Sequence, residues 1–200
     1  MKKLLLLLIV CLSFSSCFTT KKYHVVENDK KQTQEKNGIT VISEYLSEGD
    51  LVKRHGSGDD NPYLTREFAI TPVYSLVFEV EIRNKTSMAV KYDSRETELF
   101  FGEKATRASV VSDIETNSED EKYLKGSDKL ARIRLAKKTM YRNIVRIRPG
   151  ESYKGYIVFR NNFRQRGDCI FDLPLMYNNG NLAEEFEFNY QLAKKKNAKE

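Results

Sequence analysis

The sequence predicts an all-β protein: an immunoglobulin-like antiparallel sandwich with one short helix inserted near residues 128–138. Three observations predict it. Apolar residues recur with a period of two through most of the chain. The four prolines, Pro62, Pro72, Pro149 and Pro174, fall between those runs or at their ends, where a missing backbone donor costs least. The long helical crossovers that parallel strands need are mostly absent, so short strands separated by Asn, Gly and Pro turns favour antiparallel pairing.

The chain opens on Met1-Lys2-Lys3, the apolar run Leu4 to Val10, and then Ser15-Ser16-Cys17. That run is too short to cross a bilayer as a helix and leads into a polar, lysine-rich stretch, so residues 1–16 are expected to be a cleaved export signal. Residues 17–37 hold only Tyr23, Val25 and Val26 as interior apolar candidates. They are expected to form a flexible tether with an end-to-end distance of about 25 Å. The domain is expected over residues 38–192, about 155 residues, enough to bury a core without metals or disulfides. A basic tail, residues 193–200, is expected to fray.

Within the domain, Ile39 and Val41 start a first strand, and Phe68 and Ile70 suggest a short one before Pro72. The clearest strand alternates Tyr74, Leu76, Phe78, Val80 and Ile82 with Ser75, Val77, Glu79, Glu81 and Arg83, which is one buried face and one largely wet face. Val90 with Tyr92, and Leu99 to Phe101, predict another pair. Val145 and Ile147 precede a turn at Pro149-Gly150; Ile157 and Phe159 follow it, then Phe171 and Leu173. Phe186, Phe188, Tyr190 and Leu192 close the domain.

One stretch departs from the period. Glu103 to Gly126 is polar, with Asp113, Glu115, Glu119, Asp120 and Glu121 close together, and that cluster from Asp113 to Glu121 is expected to be a solvated loop rather than a weak cation site. Ser127 then reads as an N-cap, with Asp128 favourable in the first turn and Lys137 and Lys138 in the last. The helix is expected to turn Leu130 and Ile133 to the core and Lys129, Arg132 and Lys138 outward.

Cysteine usage allows no intrachain disulfide: Cys11 leaves with the signal, Cys17 starts the mature chain, and Cys169 is then alone. In Cys169-Ile170-Phe171-Asp172-Leu173 a buried, inert thiol is expected. Loss of the signal takes two lysines from the formal +6, leaving +4. On an exported chain that charge meets anionic envelope components rather than nucleic acid.

Met1-Lys2-Lys3, the apolar run and Ser15-Ser16-Cys17 resemble the export signal of bacterial lipoproteins of the signal peptidase II type, although Phe14 stands where that class usually has Leu. The resemblance implies a diacylglyceryl group on the Cys17 thiol and anchoring in the cell envelope, the outer membrane rather than the inner. The alternative is an ordinary signal with no lipid.

Asn61-Pro62-Tyr63-Leu64, Leu76 to Thr86 and Ile147 to Phe159 together resemble secreted bacterial immunoglobulin-like domains. These include lipoproteins of the telomeric-repeat-factor-like and immunoprotective-extracellular-antigen type. The resemblance implies a fold and no activity, since sandwiches host many functions.

The chemistry-bearing residues are sparse. His24 and His55 are the only histidines, too few and too scattered for clustered imidazole ligands. No Cys-x-x-Cys, His-Glu-x-x-His, Gly-x-Ser-x-Gly or phosphate loop is present. Gly56 to Asn61 lacks the acidic spacing of a calcium loop and is expected to be a turn. The densest set is basic: Lys129, Arg132, Lys138, Arg142, Arg146 and Arg148 form the candidate anion-binding patch. The expectation is a non-catalytic protein-binding or assembly module with no cofactor and no metal, partnered by the membrane through its lipid and by an envelope protein. The alternative is an adhesin or a binder of glycan or anionic polymer.

Overall fold

The computed structural model describes residues 23–26, 30–64, 74–120, 124–161, 167–177 and 179–194. Cys17 and the strand suggested at Phe68 and Ile70 lie outside them. The strands are β1 (Tyr23–Val25), β2 (Lys31–Lys36), β3 (Ile39–Leu46), β4 (Tyr74–Asn84), β5 (Val90–Asp93), β6 (Glu98–Phe101), β7 (Lys104–Arg107), β8 (Ile144–Ile147), β9 (Ser152–Asn161), β10 (Gly167–Tyr177) and β11 (Leu182–Lys194). Sheet A is ordered β1-β11-β10-β5-β8, with β6 pairing one half of β10 and carrying β7; sheet B is ordered β2-β3-β4-β9. Every named pair is antiparallel. Lettered as an immunoglobulin domain, β3, β4 and β9 stand as A, B and E, and β11, β10 and β5 as G, F and C.

The period of two sorts side chains as the sequence predicts. Leu76, Phe78, Val80 and Ile82 of β4 and Phe186, Phe188, Tyr190 and Leu192 of β11 are buried in one core between the sheets. Phe78 is its aromatic centre, with ring centroids 5.0 Å from Phe171 and 4.9 Å from Tyr190. The Tyr190 hydroxyl donates to Ser43 Oγ at 2.7 Å, joining the two sheets through the core. Cys169 is buried here, and burial first and then Asp168 push its thiol up to about 12, so it is no nucleophile at neutral pH.

One lateral seam is closed by side chains. Gln32, Gln34 and Lys36 of β2 donate to the carbonyls of Asn189, Glu187 and Glu185 of β11 at 2.6, 2.6 and 2.5 Å. β1 pairs with β11 only at its far terminus, Tyr23 opposite Lys194 through Val25 opposite Leu192. The rest of that edge strand is thus guarded by β2, which blunts it as a template for aggregation.

Helices cover the outer face of sheet B. They are α1 (Glu48–His55), α2 (Val111–Asp120) and α3 (Gly126–Thr139). Leu51, Ile114, Ala136 and Met140 form a second core with Val77, Tyr156 and Val158, the outward residues of β4 and β9.

Several expectations need correction. The proposed tether 17–37 contains β1 and β2, because β1 finds an edge on β11 and β2 one on β3. The proposed tail beginning at 193 is still strand through Lys194, opposite Tyr23. The polar stretch 103–126 contains β7 and α2, whose Ile114 supplies the buried anchor that its acidic neighbours obscured. The third helix begins at Gly126 after Lys125, without a side-chain cap from Ser127. Its face is also rotated: Lys138 is exposed as expected and Ile133 half-buried, but Leu130 and Arg132 change places. Leu130 is 56 % exposed and Arg132 1 %, because Arg132, Ala136 and Met140, four apart, form the stripe toward the sheet. Arg132 is buried whole, guanidinium included, and is not part of an outward patch.

Pro174 lies inside β10 rather than at an end. It falls where β10 changes partner from β6, at Ile170–Asp172, to β5, at Leu175–Tyr177, so its missing donor meets a gap in the ladder.

Candidate functional site

The two ends of the sandwich differ in character. The chain enters at Tyr23, beside Lys194, near the start of β4 and the end of β9. The opposite end gathers the β2–β3 turn at Asn37-Gly38, residues 85–89 between β4 and β5, the turn Arg148 to Glu151, and the turn between β10 and β11. Residues 85–89 and the β10–β11 turn correspond to the B–C and F–G loops, which cluster at one end of immunoglobulin sandwiches.

Asn84 holds this far end together. It is buried, and its amide donates to the carbonyls of Met88 at 2.8 Å and Ile147 at 3.0 Å. Its Oδ1 accepts from the Thr86 N–H at 3.0 Å and hydroxyl at 2.7 Å. The Gly150 N–H donates to the Asn84 carbonyl at 2.7 Å, and Gly150 has φ +79°, which the turn requires of it. Asn37 and Gly38 both have positive φ, 46° and 80°, as a two-residue hairpin turn demands.

On this rigid frame the outward residues of sheet A form a row in register across four strands. Arg146 of β8 lies opposite Lys91 of β5, Lys91 opposite Met176 of β10, and Met176 opposite Leu182 of β11. Leu182 is 55 % exposed, and Met88, on the loop nearby, 51 %. Further along the same face, Asp172 lies opposite both Glu98 and Glu187. Burial, and then Glu185, Glu187 and Glu98, raise the Asp172 carboxyl to about 6.

The six residues of the candidate basic patch do not share a surface. Lys129 and Lys138 stand on α3, outside sheet B. Arg132 is buried beneath that helix. Arg142 is exposed in the connection from α3 to β8, and Arg148 in the turn after β8, where its N–H donates to Glu151 Oε2 at 2.9 Å. Arg146 faces outward from sheet A, on the other side of the sandwich from α3.

A second cluster, on the helical side, escaped sequence reasoning. The Ser47 side chain accepts from the Asp50 N–H at 3.2 Å while the Asp50 carboxylate accepts from the Ser47 N–H at 2.9 Å. That reciprocal cap starts α1, which delivers Arg54 and His55 to the outer face of sheet B. His55 packs against the rings of Tyr63 and Tyr156, at centroid distances of 6.0 and 5.7 Å, and those two rings meet each other at 5.5 Å. Its Nε2 is 3.1 Å from the Tyr156 hydroxyl, to which Arg54 also donates at 3.2 Å. Arg54 and Lys154 both bind the Glu79 carboxylate, at 2.7 and 2.8 Å. Burial, and then Arg54 and Lys138, hold His55 below its ordinary value. Which of His55 and Tyr156 donates in their bond is set by the imidazole tautomer. The Tyr63 hydroxyl meets Thr139 of α3. The cluster fastens α1 and the loop after it to sheet B and α3.

Among the described residues, no three His, Cys, Asp or Glu side chains converge as metal ligands would, and no helix is long and apolar enough to cross a membrane. No protein-family model matches the sequence, and no curated protein matches it. A solved structure, the X-ray structure of a Northeast Structural Genomics Consortium target, is similar over 80 % of this chain and 88 % of its own, with 13 % identity and a TM-score of 0.36.

Proposed function

We propose that this chain is a lipid-anchored cell-envelope protein whose sandwich is a non-catalytic protein-binding module, held at one end and presenting the other. The observation that supports this reading is the polarity of the domain. Five residues separate Cys17 from Tyr23, so a lipid on Cys17 keeps the entry end within about 20 Å of the bilayer. The exposed Met88 and Leu182, with Lys91, Arg146 and Arg148, lie at the opposite end, roughly the 36 Å length of an eleven-residue strand away. The competing reading, a glycan or anionic polymer bound by the basic patch, is weakened by the dispersal of that patch over two faces.

The test is crosslinking in intact cells followed by membrane fractionation, comparing the wild type with Cys17→Ala by mass spectrometry. The expected result is a lipid mass on Cys17, release of the variant into the soluble fraction, and a dominant crosslinked envelope protein with the wild type. An unmodified, soluble wild type with no stable partner overturns the proposal.

A further inference from the structure

We infer that a second copy of this chain docks the outward stripe of its α3 on the bare face of sheet A, so that copies join head to tail. This goes beyond the binding-module reading, since it uses neither the far end of the sandwich nor the anchor. The helices pack on sheet B, and among the described residues no helix packs on the outer face of sheet A. On that face Ile170, 38 % exposed, lies opposite half-buried Phe100, and Asp172 lies opposite both Glu98 and Glu187. Glu98 is compensated within the chain by Arg107 at 3.1 Å. Asp172, Glu185 and Glu187 have no ion pair among the described residues, and one Asp172 oxygen is buried with no hydrogen-bond partner. Like charges placed opposite one another weaken a sheet, and cations laid across them remove that cost.

α3 carries the complement. Leu130, Arg134 and Lys138 are four apart and share one stripe, with Leu130 56 % exposed and both cations exposed. Neither Arg134 nor Lys138 has an ion pair among the described residues, whereas Lys137 on the flank is held by Glu115 of α2 at 2.7 Å. The spacings of the two faces match. From Leu130, Arg134 is about 6 Å along the helix and Lys138 about 12 Å. From Ile170, Asp172 is about 7 Å along its strand, Glu187 about 8 Å diagonally across on β11, and Glu185 about 14 Å. A helix laid along that diagonal sets Leu130 on Ile170 and Phe100, Arg134 between Asp172 and Glu187, and Lys138 on Glu185.

A second copy answers both faces at once. An anionic bilayer or polymer could satisfy α3 alone and would be repelled by the acidic face. The two faces lie on opposite sides of the sandwich, so one copy cannot use both against the same neighbour. The contact is therefore heterologous and leaves one face of each kind open, which adds copies until a ring closes or a filament grows.

The experiment is sedimentation velocity of the soluble Cys17→Ala protein over a concentration series, in low and in high salt. Two variants are made in it. Leu130→Ser/Arg134→Gln/Lys138→Gln removes the helix stripe, and Asp172→Asn/Glu185→Gln/Glu187→Gln removes the acidic face. The parent is expected to form species larger than a dimer, weakened by high salt. Each variant alone should associate about tenfold or more weakly. An equimolar mixture of the two should regain association and stop at one pair, because the intact stripe of one meets the intact face of the other and the remaining faces are silent. That recovery also shows both variants to be folded. A parent that stays monomeric or stops at a dimer, variants that associate as well as the parent, or a mixture that forms no pair overturns the inference. Crosslinking in cells keeps the two readings apart: an envelope protein still captured by the lipidated forms of both variants leaves the binding module standing whether or not copies associate.

Discussion

Gly155→Ala tests the packing of the core against its tightest contact. A Cβ at position 155 would stand 2.9 Å from Tyr141 Cδ2 and 3.2 Å from both Tyr141 Cε2 and the Tyr141 nitrogen, against the 3.4–4 Å of ordinary contact. The ring has little room to yield. It packs against Tyr92 and Tyr153 at 4.8 and 5.1 Å between centroids, and its hydroxyl donates to the Tyr153 carbonyl at 2.9 Å and the Val80 carbonyl at 3.1 Å. The Tyr141 N–H donates to the Tyr156 carbonyl at 3.0 Å, which fixes the backbone as well. Overpacking of this kind costs about 1–3 kcal/mol. A shift of the ring that weakens its hydroxyl bonds adds about 1 kcal/mol, and the lower unfolded-state entropy of alanine returns about 0.4–1 kcal/mol. The net loss is about 2 kcal/mol, or about 4–8 °C in midpoint for a chain of this size. Thermal unfolding followed by circular dichroism measures it, with Gly126→Ala as the control. At Gly126, in the first turn of α3, no atom lies within 4 Å of an added Cβ, and alanine should stabilise by about 0.5–1 kcal/mol. A Gly155→Ala midpoint equal to or above the wild type would refute the argument, as would full additivity with Tyr141→Ala.

Three further outcomes follow from the same structure. His55 is held below its ordinary value, so the unfolded chain takes up its proton first on acidification. The stability it supports is complete above the unfolded value of about 6.5 and is lost as pH falls through the folded one. Histidine proton NMR should show the depressed titration, and His55→Phe should remove that part of the acid slope in unfolding experiments. Asp172 has the opposite sign: raised to about 6, it favours the fold below the unfolded value of about 3.9 and loses that contribution as pH rises through 6. Asp172→Asn should raise the midpoint at pH 7 and leave it little changed at pH 3.5; a lower midpoint at pH 7 would contradict the crowding of like charges. Asn84→Ala leaves the buried Ile147 carbonyl without its amide donor, while the Met88 carbonyl keeps the Thr86 hydroxyl, at a cost of about 1–3 kcal/mol. Hydrogen exchange should then quicken at residues 85–89 and 148–151 before it does in β4.

The strands that were legible are those whose alternation is long. β4 and β11 announce themselves by runs of inward apolar residues, and the Pro149-Gly150 turn is written in its residue types. α1 is missed, since only one helix is expected, although its signal is present: Ser47-Glu48-Gly49-Asp50 is a serine with an acid three residues on, and basic residues end the helix. α2 carries no such signal, because one buried residue, Ile114, anchors a helix that is otherwise polar or acidic, and no local period reveals that. The exchange of Leu130 and Arg132 on α3 has a similar cause: alternating Arg, Lys and aliphatic residues allow two stripes, and only contact with sheet B selects the one through Ala136. β1 and β2 are polar because each lies at an edge and borrows its stability from a neighbour distant in sequence. The row from Arg146 through Lys91 and Met176 to Leu182 could not be read at all, since strand order brings together residues up to 91 positions apart in the chain.

The antiparallel match of β1 with the end of β11 also sets how the domain answers force. Tyr23 and Lys194 are neighbours, so pulling the two strand ends apart opens the pair from one side, bond after bond, at low tension. Pulling instead on the segment before Tyr23 while the far end is held directs the load along β1's own axis. Every bond between β1 and β11 is then sheared at once. Behind it stands β2, with six residues paired to β3 and three side-chain bonds to β11. The second geometry is the one the proposed lipid anchor would impose, and single-molecule pulling along these two axes should find it the more resistant.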